Sequence, residues 1–108
     1  MSTGLKRHAF TMKLKPGTLA EYRRRHDEIW PELAAALKAA GISDYSIFVD
    51  EETLTLFAVQ NLGDGNTAAE LPSLAIVQRW WKYMAPLMEV NPDQSPRVKP
   101  LAEVFYIS

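Results

Sequence analysis

Tyr22, His26 and Trp30 stand four residues apart within the run Tyr22-Arg23-Arg24-Arg25-His26-Asp27-Glu28-Ile29-Trp30-Pro31. On a helix, that spacing points a phenol, an imidazole and an indole in one direction from successive turns. Imidazole titrates near neutrality, so it can give or take a proton in neutral water. Flat aromatic faces suit a sugar ring or another partly apolar small molecule. A lone histidine on an apolar helix face also has a plainer use, as a hydrogen-bonded core residue. The spacing alone leaves both readings open.

The helix that must carry these residues starts at Thr18, a candidate N-cap with Glu21 placed to complete a capping box. It runs to about Ala40 and stops at Gly41. Leu19, Tyr22, His26, Ile29, Trp30, Leu33, Ala36, Leu37 and Ala40 fall within an arc of about 120°, the width of a core-facing stripe. Pro31 lies inside this pattern and lacks a backbone donor, so a kink is expected just after His26, opening the helix face beside it.

A strand precedes this helix over Arg7–Lys15, with His8, Phe10, Met12 and Leu14 on its apolar side. His8, near its start, reads as an edge or surface histidine. Pro16-Gly17 turns the chain into the helix. After the helix, Asp44–Asp50 is a strand with Tyr45, Ile47 and Val49 on one face. Leu54–Leu62 is its hairpin mate, with Leu54, Leu56, Ala58 and Gln60 on one face. Gly63–Asn66 is a loop. Ser73–Met88 is the second main helix, striped by Leu74, Val77, Trp81, Met84 and Met88. That stripe puts Trp81 in the core and leaves Trp80, with Leu87, at the rim. Asn91–Pro96 is irregular. Leu101–Ile107 is a last strand, apolar on both faces except at Glu103, and so either internal or buried by a second subunit.

The order strand, helix, strand, strand, helix, strand defines an α+β fold of the ferredoxin-like βαββαβ type. Both helices cover one face of an antiparallel sheet. The chain has no element left for the other face, and a homodimer packing sheet to sheet, a dimeric α+β barrel, is the simplest cover.

The remaining composition narrows the partners. With 108 residues, one domain spanning 1–108 is expected. Net charge is −1, and Arg23, Arg24 and Arg25 fan around a helix instead of forming a stripe, which argues against nucleic acid and anionic membranes. There is no cysteine, so disulfides, thiolate metal sites and cysteine nucleophiles are excluded, and no metal site is read. Absent cysteine fits a cytoplasmic protein. No apolar run has the length of a membrane helix, and Met1–Arg7 lacks the apolar core of a signal peptide.

Four segments together carry a resemblance. They are Glu21–His26 with Ile29-Trp30-Pro31-Glu32-Leu33; Gln78-Arg79-Trp80-Trp81-Lys82-Tyr83-Met84; Asn91-Pro92-Asp93 with Ser95-Pro96; and Glu103-Val104-Phe105-Tyr106. In this order and spacing the chain resembles the L-rhamnose mutarotases from about Arg7 to Ile107. Gly63–Leu71 is less typical of them. The resemblance implies an isomerase that interconverts the α and β anomers of L-rhamnose, as a dimeric α+β barrel without cofactor. It implies His26 as the proton donor, and Tyr22, Tyr45, Trp80 and Trp81 as sugar-binding residues. The residue types suit the chemistry. Ring opening requires a proton on the ring oxygen and removal of one from the anomeric hydroxyl, and a near-neutral histidine can take part. Aromatic walls suit a 6-deoxy sugar, whose methyl group needs an apolar surface. The partner base is not named by the sequence: Asp27 points elsewhere on the helix, and Glu103 or a water would serve. Fold alone also accommodates cofactor-free or haem-dependent enzymes of the same barrel, or a non-catalytic sugar-binding module.

Overall fold

The computed structural model describes residues 5–108. Residues 1–4, with much of the stretch searched for a signal peptide, lie outside the described residues. The elements are β1 (Lys6–Lys13), α1 (Leu19–Asp27), α2 (Pro31–Ala39), β2 (Ile42–Asp50), β3 (Thr55–Leu62), a 3₁₀ turn (Ala68–Ser73), α3 (Ala75–Met84), a second 3₁₀ turn (Ala85–Leu87) and β4 (Lys99–Leu101). It is a small α+β architecture: a four-stranded sheet in the order β2-β3-β1-β4, every neighbouring pair antiparallel, with helices packed on it. Among the described residues no helix is long and apolar enough to cross a membrane.

The alternation expected for β1 sets the core. Phe10 faces Ala58 and Met12 faces Leu56 across the β1–β3 ladder, and Ile47 and Val49 continue the same two rows on β2. These side chains meet Tyr22 of α1, Leu33 of α2 and Val77, Trp80 and Met84 of α3 in one apolar cluster.

Pro31 does more than kink a helix. It ends one and starts another. Trp30, the residue before it, is pushed to extended backbone (φ −62°, ψ 128°), as the proline ring requires of its predecessor. Pro31 then takes the first position of α2, where a missing N–H costs nothing. The expected capping box does not form. The Thr18 hydroxyl lies 2.7 Å from the Lys15 carbonyl and 2.9 Å from that of Leu87, so it ties the helix start to the second 3₁₀ turn. Glu21 instead accepts from Arg24 and Arg25, each at 2.6 Å, which holds its carboxyl down at about 2.

The second helix corrects the tryptophan assignment. Pro86 cannot donate into the helical ladder, and α3 gives way to a 3₁₀ turn after Met84. Leu74 is only the cap residue, 40% exposed, and Met88 lies beyond the helix. The helical stripe therefore loses both ends, although Met88, from beyond the helix, is buried in the core as expected. The buried face is Val77, Trp80 and Met84. Trp80 is buried and Trp81 half-buried, the reverse of the sequence expectation, and Leu87 is buried too.

The last strand is short. β4 pairs with β1 only over Lys99–Leu101, opposite Thr11, Phe10 and Ala9. Beyond Leu101 the chain carries no ladder, although Glu103 still reaches Arg7 through two hydrogen bonds of 2.6 and 2.9 Å. Val104 is 95% exposed and Phe105 76%, so this segment is not internal to the single chain.

Candidate active site

The helix-facing side of the sheet bounds an open cavity of about 1220 Å³, and Tyr22, His26, Tyr45, Trp80 and Trp81 all line it. Each arrives by a different route. Tyr22 and His26 sit one turn apart on α1, so their rings meet at a tilt of 32° with centroids 4.4 Å apart. Trp80 meets the His26 ring edge-on at 5.4 Å from α3. Trp81, next on that helix, supplies a second indole wall at the half-buried rim.

Tyr45 owes its place to a bulge. The β2–β3 register shifts between Ser43 and Ser46, so Asp44 and Tyr45 together oppose Gln60. Asp44 takes the left-handed conformation (φ 47°), which aspartate tolerates, and its carboxylate accepts from the Asn61 amide at 3.1 Å. A bulge of this kind re-aims the neighbouring side chain. Tyr45 is 38% exposed, yet burial pushes its phenol up to about 12. The two agree because the cavity walls surround the ring without closing over it. Burial, and then the proximity of Tyr45, push the Tyr22 phenol well above its usual range. Both tyrosines keep their protons at neutral pH and serve as hydrogen-bonding groups, not bases.

His26 is the group that can exchange a proton there. Nδ1 lies 3.1 Å from the Tyr22 carbonyl, so in the neutral ring it is the protonated nitrogen, and Nε2 is left with the lone pair. Burial lowers its pKa from the usual histidine value, opposed by the Tyr22 carbonyl and by Asp27. At neutral pH the ring is therefore mainly uncharged and basic at Nε2.

Trp30, expected beside His26, does not line the cavity. The break before Pro31 turns it away from the cavity, where it packs half-buried against the core, stacked on Tyr83 at 5.3 Å and edge-on to Trp80 at 5.1 Å. Glu103, a candidate base, is held by Arg7 on the exposed side. Asp27, read as pointing elsewhere, is in the cavity lining. Among the lining residues that sequence reasoning did not assign to the site are His8 and Gln60. The available signal was a glutamine on the apolar face of a strand, opposite a histidine on the apolar face of its neighbour. Among the described residues, no three His, Asp or Glu cluster as a metal site would.

An aromatic-walled cleft with the uncharged imidazole of His26 and two protonated phenols defines a small-molecule site equipped for acid–base chemistry. The family model for L-rhamnose mutarotase matches residues 7–107. An L-rhamnose mutarotase of Acidiphilium cryptum is 56% identical over 99 residues, covering 92% of this chain and 95% of that one. One from Flavobacterium johnsoniae is 52% identical over 101 residues, 94% of each chain. The crystal structure of an L-rhamnose mutarotase from Formosa agariphila superposes with a TM-score of 0.89 at 50% identity, covering 95% of this chain and 99% of that one. The chain belongs to the L-rhamnose mutarotase family.

Proposed function

We propose that this isomerase opens and recloses the pyranose ring of L-rhamnose with His26 as its proton-transfer residue. The observation that carries this is the His26 ring, pinned at Nδ1 by the Tyr22 carbonyl within a wall of the cavity. Nε2 takes the proton of the anomeric hydroxyl as the C1–O5 bond breaks and C1 becomes the aldehyde. The imidazolium then donates that proton to O5. After rotation about C1–C2, the same steps in reverse close the ring on the other face. No proton is gained or lost overall, and the steps need no cofactor or metal. Tyr22 and Tyr45 hydrogen-bond sugar hydroxyls as neutral phenols. Trp80 and Trp81 hold the ring face and the 6-methyl group, loosely enough for the open chain to turn. Exchange between the two anomeric proton signals of L-rhamnose, followed by saturation transfer with and without protein, tests this. Exchange no faster than the buffer rate would remove the mutarotase reading.

The sheet order β2-β3-β1-β4 and its antiparallel pairings support a ferredoxin-like domain over 1–108. The outward sheet face presents Phe48 (63% exposed), Phe57 and Val59, and the tail beside it presents Phe105. So much exposed apolar surface supports a homodimer, closed as a dimeric barrel. Sedimentation at micromolar concentration should give a two-chain species, and a clean monomer would exclude it. The absence of cysteine supports a cytoplasmic location.

A further inference from the structure

We propose that Gln60 is a sugar-recognition residue of this site, binding one hydroxyl of the substrate through its amide, with His8 as the residue that positions that amide. The inference rests on the reading that the cavity takes L-rhamnose.

Gln60 is the one polar or charged side chain among the buried described residues, 6% exposed. Its neighbours on that strand face are Ala58 and Leu62, and an aliphatic residue would pack there at no polar cost. An amide has two N–H donors and a carbonyl to partner, and because no buried side-chain polar atom among the described residues lacks a partner, the Gln60 nitrogen opens onto the cavity. Only the carbonyl has one: His8 Nδ1 approaches Gln60 Oε1 at 3.4 Å, from the position directly across the ladder. In its Nδ1–H tautomer the imidazole donates to that oxygen. That arrangement leaves the N–H₂ group as the donor still to be used. His8 is itself held against Phe10, ring centroids 5.1 Å apart.

Both residues line the cavity. On its other flank Gln60 opposes the bulge that presents Tyr45. His8, Gln60 and Tyr45 thus form a polar row across three strands, in a cavity wall that also presents the apolar Phe10, Met12, Ile47 and Leu56. An apolar wall cannot tell one sugar hydroxyl configuration from another, whereas a fixed donor can, because the wrong isomer leaves it unpaired. The row supplies that donor opposite the aromatic walls of α1 and α3.

The test uses the full-length protein and anomeric exchange over a range of L-rhamnose concentrations. Wild-type protein must first accelerate exchange; if it does not, the mutarotase reading fails and not this one. Given activity, Gln60→Leu and the longer Gln60→Met should each raise KM about tenfold, the size of one lost hydrogen bond, with kcat within about threefold and an unlowered melting temperature. His8→Phe should raise KM less, and the double variant should be no worse than Gln60→Leu alone, because His8 acts through Gln60. Among monodeoxy analogues of the sugar, the one lacking the bound hydroxyl should show the same KM with wild type and Gln60→Leu. Unchanged KM in folded Gln60→Leu and Gln60→Met would overturn the proposal and leave the amide a packing group. So would a KM ratio identical for every deoxy analogue.

Discussion

Replacing His26 by alanine separates its chemistry from its packing, because the structure sizes both. The ring makes one hydrogen bond, to the Tyr22 carbonyl, and contacts two aromatic neighbours, Tyr22 at 4.4 Å and Trp80 at 5.4 Å. The bond contributes about 1 kcal/mol and the ring pairs about another 1 kcal/mol, so His26→Ala should cost about 2 kcal/mol of stability. For a chain this size that lowers the melting temperature by about 8–16 °C and leaves a folded protein at room temperature. The chemical loss is larger. Removing a general acid–base group costs about 10²–10⁴ in rate, equivalent to about 3–5 kcal/mol of barrier. The loss should fall on kcat, with KM little changed, because Trp80, Trp81 and the tyrosines still hold the sugar. Saturation transfer between the anomeric signals reads the rate, and circular dichroism confirms folding. Tyr22→Phe keeps the backbone carbonyl that orients His26 and should lose much less. A folded His26→Ala protein exchanging anomers at the wild-type rate would refute this assignment. A protein that no longer folds would show that the ring is a core residue, the plainer use open to it.

The burial of Trp80 predicts that Trp80→Ala costs about 3–5 kcal/mol in chemical denaturation and Trp81→Ala clearly less; the opposite ranking would mean that α3 is rotated. Because burial lowers the His26 pKa, the acid limb of kcat/KM should lie below the ordinary histidine value of about 6.5, and a limb at or above it would contradict the neutral-base role. The same shift acts on folding: its contribution is full above about pH 6.5 and is lost as pH falls through the folded pKa, where the unfolded chain binds the extra proton. Wild type should therefore lose melting temperature on acidification more than His26→Ala does. Gly41 sits at φ 91°, where an added Cβ would lie 2.9 Å from Asn66 Cβ, so Gly41→Ala should cost about 1–3 kcal/mol; an unchanged denaturation midpoint would show that the turn relaxes freely.

What the sequence settled by itself was local periodicity and family likeness. The alternation in β1 put Phe10, Met12 and Leu14 on the apolar side, and each lines the cavity or the core. The spacing of Tyr22 and His26 put two rings on one helix face, because a helical turn repeats wherever the helix continues. The motifs around His26 and Trp80-Trp81 were enough for the mutarotase family.

Tertiary structure decided everything that depends on where an element stops or how two strands align. A proline decided one tryptophan and helix packing another. Pro31 closes α1 before Trp30 and turns that ring away from the site. Trp80, on α3 and ahead of Pro86, is buried where that helix meets His26 and Trp30. Periodicity extended through a proline misses the break itself, since the backbone there no longer advances 100° per residue, although Leu33 and Ala40 beyond Pro31 are still buried as the stripe expects. The row of His8, Gln60 and Tyr45 was invisible for a different reason. Its members lie on three strands, with His8 far along the chain from the hairpin that carries Tyr45 and Gln60, and a bulge at Asp44 brings Tyr45 into line. Which residue stands opposite which is a property of strand register, and register is set by the packing of the whole sheet against its helices rather than by any one segment.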